Sequence, residues 1–360
     1  TVTVGAAGNV RGDTLLGTDA VIARAAQTVD VSVPGVTKTT SGTATVNLDG
    51  KVADGAAVGK NVLADSGNAA VINANGLAGT VKADAVNAFG TGDSDRTVTS
   101  KGVASAFNDT KRTVDNSTTY TGGKAAVNVG ATGNVAGVIA LGTLSADVKV
   151  AGGGTVGTGG INADATNGTN TTFTRDETYT AATLVKQVDI QTASTVASTA
   201  TVDVGSKATV AGGGITASAG GTADVKTAGA VTGDVDVETA GGTIESTQTQ
   251  TFEDVTGFQL TDNLKGSITN KAGLASATVS GGKVTGNVNV SGGGSAGATA
   301  DITGGEVTGN VIAESEPTDI KFTLAQTFDK TGPLTSLTGT TEFTPVGGDP
   351  LCRSASRYHF

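Results

Sequence analysis

The sequence lacks most of what a thick, irregular protein core is built from. Its 360 residues include no Trp and no Met, with nine Phe, three Tyr and five Pro. There is one Cys, Cys352, and one His, His359. An intrachain disulfide is therefore impossible, although Cys352 is free to bond a second chain. A Ser or Cys nucleophile would need a base, usually His, and the single His lies next to the last position. A zinc site draws on several Cys or His and would run short of ligands. Runs such as Gly152–Gly154 carry no Gly-Lys-Ser/Thr at phosphate-loop spacing, so they are expected to be turns. No apolar run approaches the ~18–20 residues a membrane-spanning helix needs. The balance of 33 acidic against 23 basic residues, net −10, is spread along the chain. That leaves no clustered Lys and Arg for a nucleic-acid surface. Neither nucleic acid nor a membrane span is expected, and no enzyme activity is expected.

What is abundant is Gly, 55 residues, set among Val, Ala and Thr. Gly at this level, about twice the usual ~7%, marks frequent turns. Val and Thr are stiff, β-branched strand formers. Short strands over thin cores of stacked small residues are the expected result. The strongest helical candidate, Asp19 to Gln27, is short and has no firm Gly stop, so no helix is expected.

The chain repeats itself. Val231-Thr232-Gly233-Asp234-Val235 recurs as Val284-Thr285-Gly286-Asn287-Val288 and as Val307-Thr308-Gly309-Asn310-Val311. The opening Val2-Thr3-Val4-Gly5-Ala6-Ala7-Gly8-Asn9-Val10 matches Val127-Asn128-Val129-Gly130-Ala131-Thr132-Gly133-Asn134-Val135. Thr172-Phe173, Thr251-Phe252 and Thr327-Phe328 recur at nearly equal intervals. These matches define a unit of roughly 77 residues with two halves. One half is rich in Thr, with an aromatic residue and period-2 alternation. The other is a series of five-residue strands split by glycine pairs and triplets. Within the second half, Val284 to Val307 and Ala208 to Val231 are the same distance apart, about 23 residues, close to one turn of a three-sided coil.

The fold expected is all-β: tandem repeats forming a parallel β-solenoid, with the Thr-rich halves interrupting it as longer strands or hairpins. The alternative is a string of small antiparallel sandwiches of immunoglobulin-like size. The segments are 1–95 as a partial repeat, then repeats at 96–172, 173–251 and 252–327. Terminal Thr/aromatic strands at 328–344 and a tail at 345–360 follow.

Glu306 to Ala313, with the preceding Gly305, resembles the rungs of secreted β-solenoid adhesins of the autotransporter and filamentous-haemagglutinin type, and those of bactofilins, which are β-helical polymers. The resemblance implies self-association and a structural role and transfers no functional residues.

Two ends that each lack what the other offers suggest head-to-tail association with copies of the same chain by strand addition. The candidate contact residues are Val2, Val4 and Val10 at one end and Phe322, Leu324, Phe328 and Phe343 at the other. The expected product is an extracellular filament, sheath or surface layer. An adhesin or phage-fibre module that binds a glycan is the alternative. The strand-like start at Thr1, without a leader, is what signal removal would leave at the cell surface. Asn-x-Ser/Thr acceptor sites occur at Asn108, Asn116, Asn167, Asn170 and Asn289. No cofactor is expected; no run matches a calcium loop, although Asp93 with Asp95, and Asp49 with Asp54, could join a Ca²⁺ site.

Overall fold

The structure is a computed structural model. It describes every residue except 12–18, 26–28, 33–35, 41, 55–57, 87–95, 106–110, 116–117, 121, 166–170, 181–186, 197, 240–242, 256–258, 271–273, 294–296, 317–318, 331–335, 347–350 and 360. Side chains are described in the coils set out next, and the backbone alone in the strands that leave them.

The chain winds through nine coils of a three-sided parallel β-solenoid. The first face stacks Val2–Val4, Thr43–Leu48, Ala69–Ala74, Lys124–Val129, Ser145–Val150, Thr199–Val204, Thr222–Thr227, Leu274–Val279 and Ala298–Ile302, in chain order. The second face runs from Asn9–Val10 to Glu306–Val307, and the third from Asp19–Arg24 to Val311–Glu316. The last two faces form one continuous sheet because Leu77–Ala85 and Asn134–Gly142 run unbroken through the corner between them. Asp19–Arg24, the nearest thing to a helix in the sequence, is a strand. Its alternating Val21 and Ala23 point inward and are buried.

Alternation selects the parallel coil. Each first-face strand points residues i, i+2 and i+4 inward, and parallel pairing in register stacks like on like. One inward column is Ala at eight consecutive levels: Ala44, Ala70, Ala125, Ala146, Ala200, Ala223, Ala275 and Ala298. On the third face the column from Val21 through Val62, Val81, Val138, Ile161, Ile215, Val235 and Val288 to Val311 is β-branched throughout. Small residues suffice because each coil needs only to fill the narrow space between three faces. Ile215, Ile72 and Leu48 are the largest fully buried side chains. Immunoglobulin-like units would need antiparallel pairing. Among the described strands only Val29–Ser32 with Val36–Thr40, and Lys51–Asp54 with Val58–Gly59, pair that way.

The recurring Val-Thr-Gly-Asp/Asn-Val stretch is the corner from face two to face three in three successive coils. Gly233 has φ +110°, and a Cβ there would stand 2.5 Å from the Gly214 nitrogen. A Cβ at Gly286 would stand 2.4 Å from the Gly233 carbonyl oxygen. Corner stacks on corner with no room for a side chain. The residue after each glycine links the coils: the Asn287 N–H donates to Asp234 Oδ1 at 2.8 Å, and the Asn310 N–H to Asn287 Oδ1 at 2.8 Å. Gly152–Gly154, Gly212–Gly214, Gly281-Gly282 and Gly304-Gly305 are also corners. Gly292 and Gly293 instead finish the strand Val288–Gly293, buried where the wall turns.

The two periods in the sequence have separate structural origins. A plain coil is short: stacked positions lie 26 residues apart from Asn47 to Asn73, and 23 from Lys283 to Glu306. Every second coil is longer, with 55 residues from Asn73 to Asn128 and 54 from Asp147 to Thr201, because the chain leaves the third corner before returning. One long and one plain coil together, from Val148 to Val225, make up the repeat of roughly 77 residues seen in the sequence. Departures follow coils one, three, five, seven and nine. Their strands stack into two sheets of their own. One holds Arg96–Ser105, Thr171–Thr180, Thr243–Val255, Asp319–Lys330 and Leu351–His359, all parallel. The other holds Ser336–Val346, Gln259–Asn270, Gln187–Val196, Thr118–Tyr120, Val36–Thr40 and Val29–Ser32, with Lys111–Asp115 also on Gln187–Val196.

Where the chain leaves and re-enters, buried hydroxyls close the wall. Ser198 Oγ accepts the Gly220 N–H at 2.9 Å, and Thr239 Oγ1 accepts the Gly293 N–H at 3.1 Å. Ser66 Oγ donates to the Gly42 carbonyl at 3.0 Å. Each joins the corner of a plain coil to the corner of a long one.

Candidate functional site

The most distinctive surface of the coils is the last one. Among the described strands, Ala298–Ile302, Glu306–Val307 and Val311–Glu316 each pair with one neighbour only, the coil below, and within the ninth coil the Ala298 N–H donates to Ser315 Oγ at 3.1 Å. In coil eight the inward residues of face three, Val288 and Val290, are buried. One level on, Val311 is 46% exposed and Ala313 is exposed. Ile302 continues the buried column of Val204, Thr227 and Val279, yet is 37% exposed. Ala298, Ala300 and Val307 are half-buried. The result is a three-sided apolar rim on which, among the described residues, no further strand pairs with the upper edge of any face. Asn310 stands at the head of the corner ladder, one level above Asn287.

At the other end, among the described strands, Val2–Val4, Asn9–Val10 and Asp19–Arg24 likewise pair on one side only. Of the predicted contact residues there, Val2 and Val10 are half-buried and Val4 is buried. All three sit in the inward columns that Ala300, Ile302 and Val307 end at the opposite rim. Phe322, Leu324 and Phe328 lie on Asp319–Lys330. That strand is interior to its sheet, paired with Thr243–Val255 on one side and Leu351–His359 on the other. Phe343 lies on Ser336–Val346, a sheet edge. Cys352 is on Leu351–His359, level with Ile320. Sequence reasoning set the edge at the Phe322 strand, and the structure adds the tail as one more strand. The short, basic tail lacks the Thr pattern that marks its neighbours, so nothing in its composition announced this.

Other candidates are spread out. Asn289 Nδ2 donates to Asp236 Oδ1 at 2.8 Å and is part of a strand-to-strand ladder. Asn108, Asn116, Asn167 and Asn170 lie outside the described residues, as do Asp93 and Asp95. Asp49 accepts a hydrogen bond from Asn75 Nδ2 at 2.8 Å, and Asp54 ends the strand Lys51–Asp54. Among the described residues no three His, Cys, Asp or Glu gather as metal ligands. No helix among them is long and apolar enough to cross a membrane, which says nothing of strands.

The outward side of face one carries polar ladders. Asn73 Nδ2 donates to Asn47 Oδ1 at 2.8 Å, and Asn128 Nδ2 to Asn73 Oδ1 at 2.9 Å. Further along, Lys226 Nζ lies 2.8 Å from Asp224 Oδ2. The hydrogen bond from Lys226 to Asp224 and the charge of Asp224 raise its pKa; burial opposes them, and the charge of Asp203 adds the least.

Comparison with protein-family models, with curated proteins and with solved structures finds no match to this chain.

Proposed function

We propose that this protein is a non-enzymatic structural element that assembles head-to-tail with copies of itself, by strand addition, into an extracellular filament, sheath or layer. The observation that carries the reading is the open apolar rim of the ninth coil. Val311, Ile302 and Ala313 continue columns that are dry in the coils below them. Three parallel strand edges there are ready to pair. A first coil placed on the ninth repeats the contact already made eight times within the chain. Its Val2, Val4 and Val10 would extend the columns that stop at Ala300, Ile302 and Val307. Such a contact is heterologous, so it propagates instead of closing. The extracellular setting is part of the proposal and rests on the likeness of the rungs to those of secreted adhesins.

The test is Val311→Asp, examined by electron microscopy and sedimentation beside the unaltered protein. In the free chain position 311 is half open to water, so the single molecule should keep its melting temperature. In a filament the carboxylate would be walled in without a partner, at a cost of at least several kcal/mol. Filaments in the unaltered sample and single particles in the variant are expected. Single particles in both, at high concentration, would sink the proposal.

A further inference from the structure

We infer that Leu351–His359 is a donor strand: in the assembly it bridges the excursion sheets of successive copies by pairing with Arg96–Ser105 of the next copy. The inference rests on the head-to-tail reading and goes beyond it by naming the strand, its partner and the register.

The excursions after coils three, five, seven and nine each give one strand to the five-stranded parallel sheet. Among the described strands, the excursion after coil one gives none. Its two strands, Val29–Ser32 and Val36–Thr40, pair with each other and belong to the other sheet. The excursion after coil nine is followed by a strand too many, since Leu351–His359 adds to Asp319–Lys330. The surplus at one end equals the deficit at the other.

Spacing gives the surplus strand a purpose. Within the chain, successive strands of this sheet leave the solenoid two coils apart, a rise of about 10 Å at ~4.8 Å per coil, and converge to pair directly. If the first coil of the next copy sits on the ninth, its first contribution to the sheet is Arg96–Ser105, from its third coil. A single strand-to-strand step would then have to span three coils, about 14 Å, more than any step within the chain. One added strand makes two steps of about 7 Å each, less than the steps the sheet already takes. Among the described strands, Leu351–His359 pairs on one side only. Its free edge faces onward, as the opposite edge of Arg96–Ser105 faces back.

The register follows from four steps of stacking: Arg96 pairs with Thr171, Thr171 with Ile244, Ile244 with Ile320, and Ile320 with Cys352. Continuing without slip, Cys352 of one copy lies beside Arg96 of the next. By the same columns, Arg357 comes level with Lys101. Like charges directly opposite weaken strand pairing, so this junction is tuned to be reversible.

Arg96→Cys, oxidised at assembly concentration, tests this. The unaltered chain has one thiol and stops at disulfide dimers. Positions 96 and 352 of one chain lie four strands apart, about 19 Å, so they cannot close on each other. Arg96→Cys should therefore give a ladder of trimers and longer species on a non-reducing gel. Thr97→Cys, on the opposite face of the strand, should stop at dimers. Arg357→Glu, whose own-chain neighbour is Ala325, should lower the critical concentration for assembly about tenfold, and removal of 351–360 should raise it by at least as much. If Val311→Asp abolishes filaments while Arg96→Cys gives no more ladder than Thr97→Cys, the coils stack but the donor strand is wrong. If the unaltered chain forms no filaments and Arg96→Cys no ladder, both readings fall.

Discussion

Ser198 shows how little side chain the fold needs at its critical points. It is 1% exposed, and its hydroxyl accepts the Gly220 N–H at 2.9 Å where the chain re-enters from an excursion. Ser198→Ala leaves that N–H only a 3.4 Å contact with the Ala165 carbonyl. A buried donor that loses its acceptor costs about 1–3 kcal/mol, and denaturant unfolding should show a loss in that range. Lys226 acts on the surface. Its pKa is raised in the folded chain, chiefly by its hydrogen bond to Asp224 and then by the charges of Asp224 and Asp203. The stabilisation it contributes is complete below the ordinary lysine pKa and is lost as the pH climbs past the raised one. Melting temperatures of the unaltered chain and of Lys226→Met should differ most at neutral pH and converge in strong alkali. Because the group is exposed, the difference should be small.

At the scale of the strand, much of the architecture was legible. The spacing between Val284 and Val307 is one coil, and the Thr-Gly-Asn-Val stretch is a corner whose glycine no side chain can replace. A thin core of stacked small residues was expected from the Val, Ala and Thr content, and the register shows which Val and Ala form its columns. The partners of the excursion strands were not legible. A Thr-rich, period-2 strand such as Thr243–Val255 fits any parallel edge, since its register is set by which coil it leaves and not by its own residues. Likewise, nothing in Leu351-Cys352-Arg353-Ser354 distinguishes a strand from a loose tail. Asn47, Asn73 and Asn128 read as ordinary polar positions far apart in the chain; only stacking reveals them as one hydrogen-bonded ladder. The open rim was legible only in outline. Unmatched ends suggested it, but the exposure of Val311 and Ile302 emerges only once the columns are assembled.

At the scale of the molecule, the design is a two-coil unit and not a one-coil unit, and that makes a prediction against ordinary expectation. In a solenoid each coil touches only its neighbours, so whole repeats are removable. Deleting 148–224 joins Asp147 to Val225, which occupies the position of Val148 two coils on. The core columns and the alternation of long and plain coils are both kept. Deleting only 202–224 joins Thr201 to Val225 and also keeps every core column in step. It removes a plain coil, however, so Thr171–Thr180 and Thr243–Val255 of the five-stranded sheet would leave adjacent levels, about 5 Å apart instead of about 10 Å. A first coil stacked on a ninth avoids this crowding, because the described strands after coil one lie in the other sheet. It also strips Ser198 of its partner Gly220. If the core alone governed stability, the smaller deletion would be the milder one. With strands of the five-stranded sheet that need two coils of room, the larger deletion should melt cooperatively within a few degrees of the parent. The smaller deletion should melt well below it, by circular dichroism. Equal melting of the two would show that the excursions hang free of the coils that carry them.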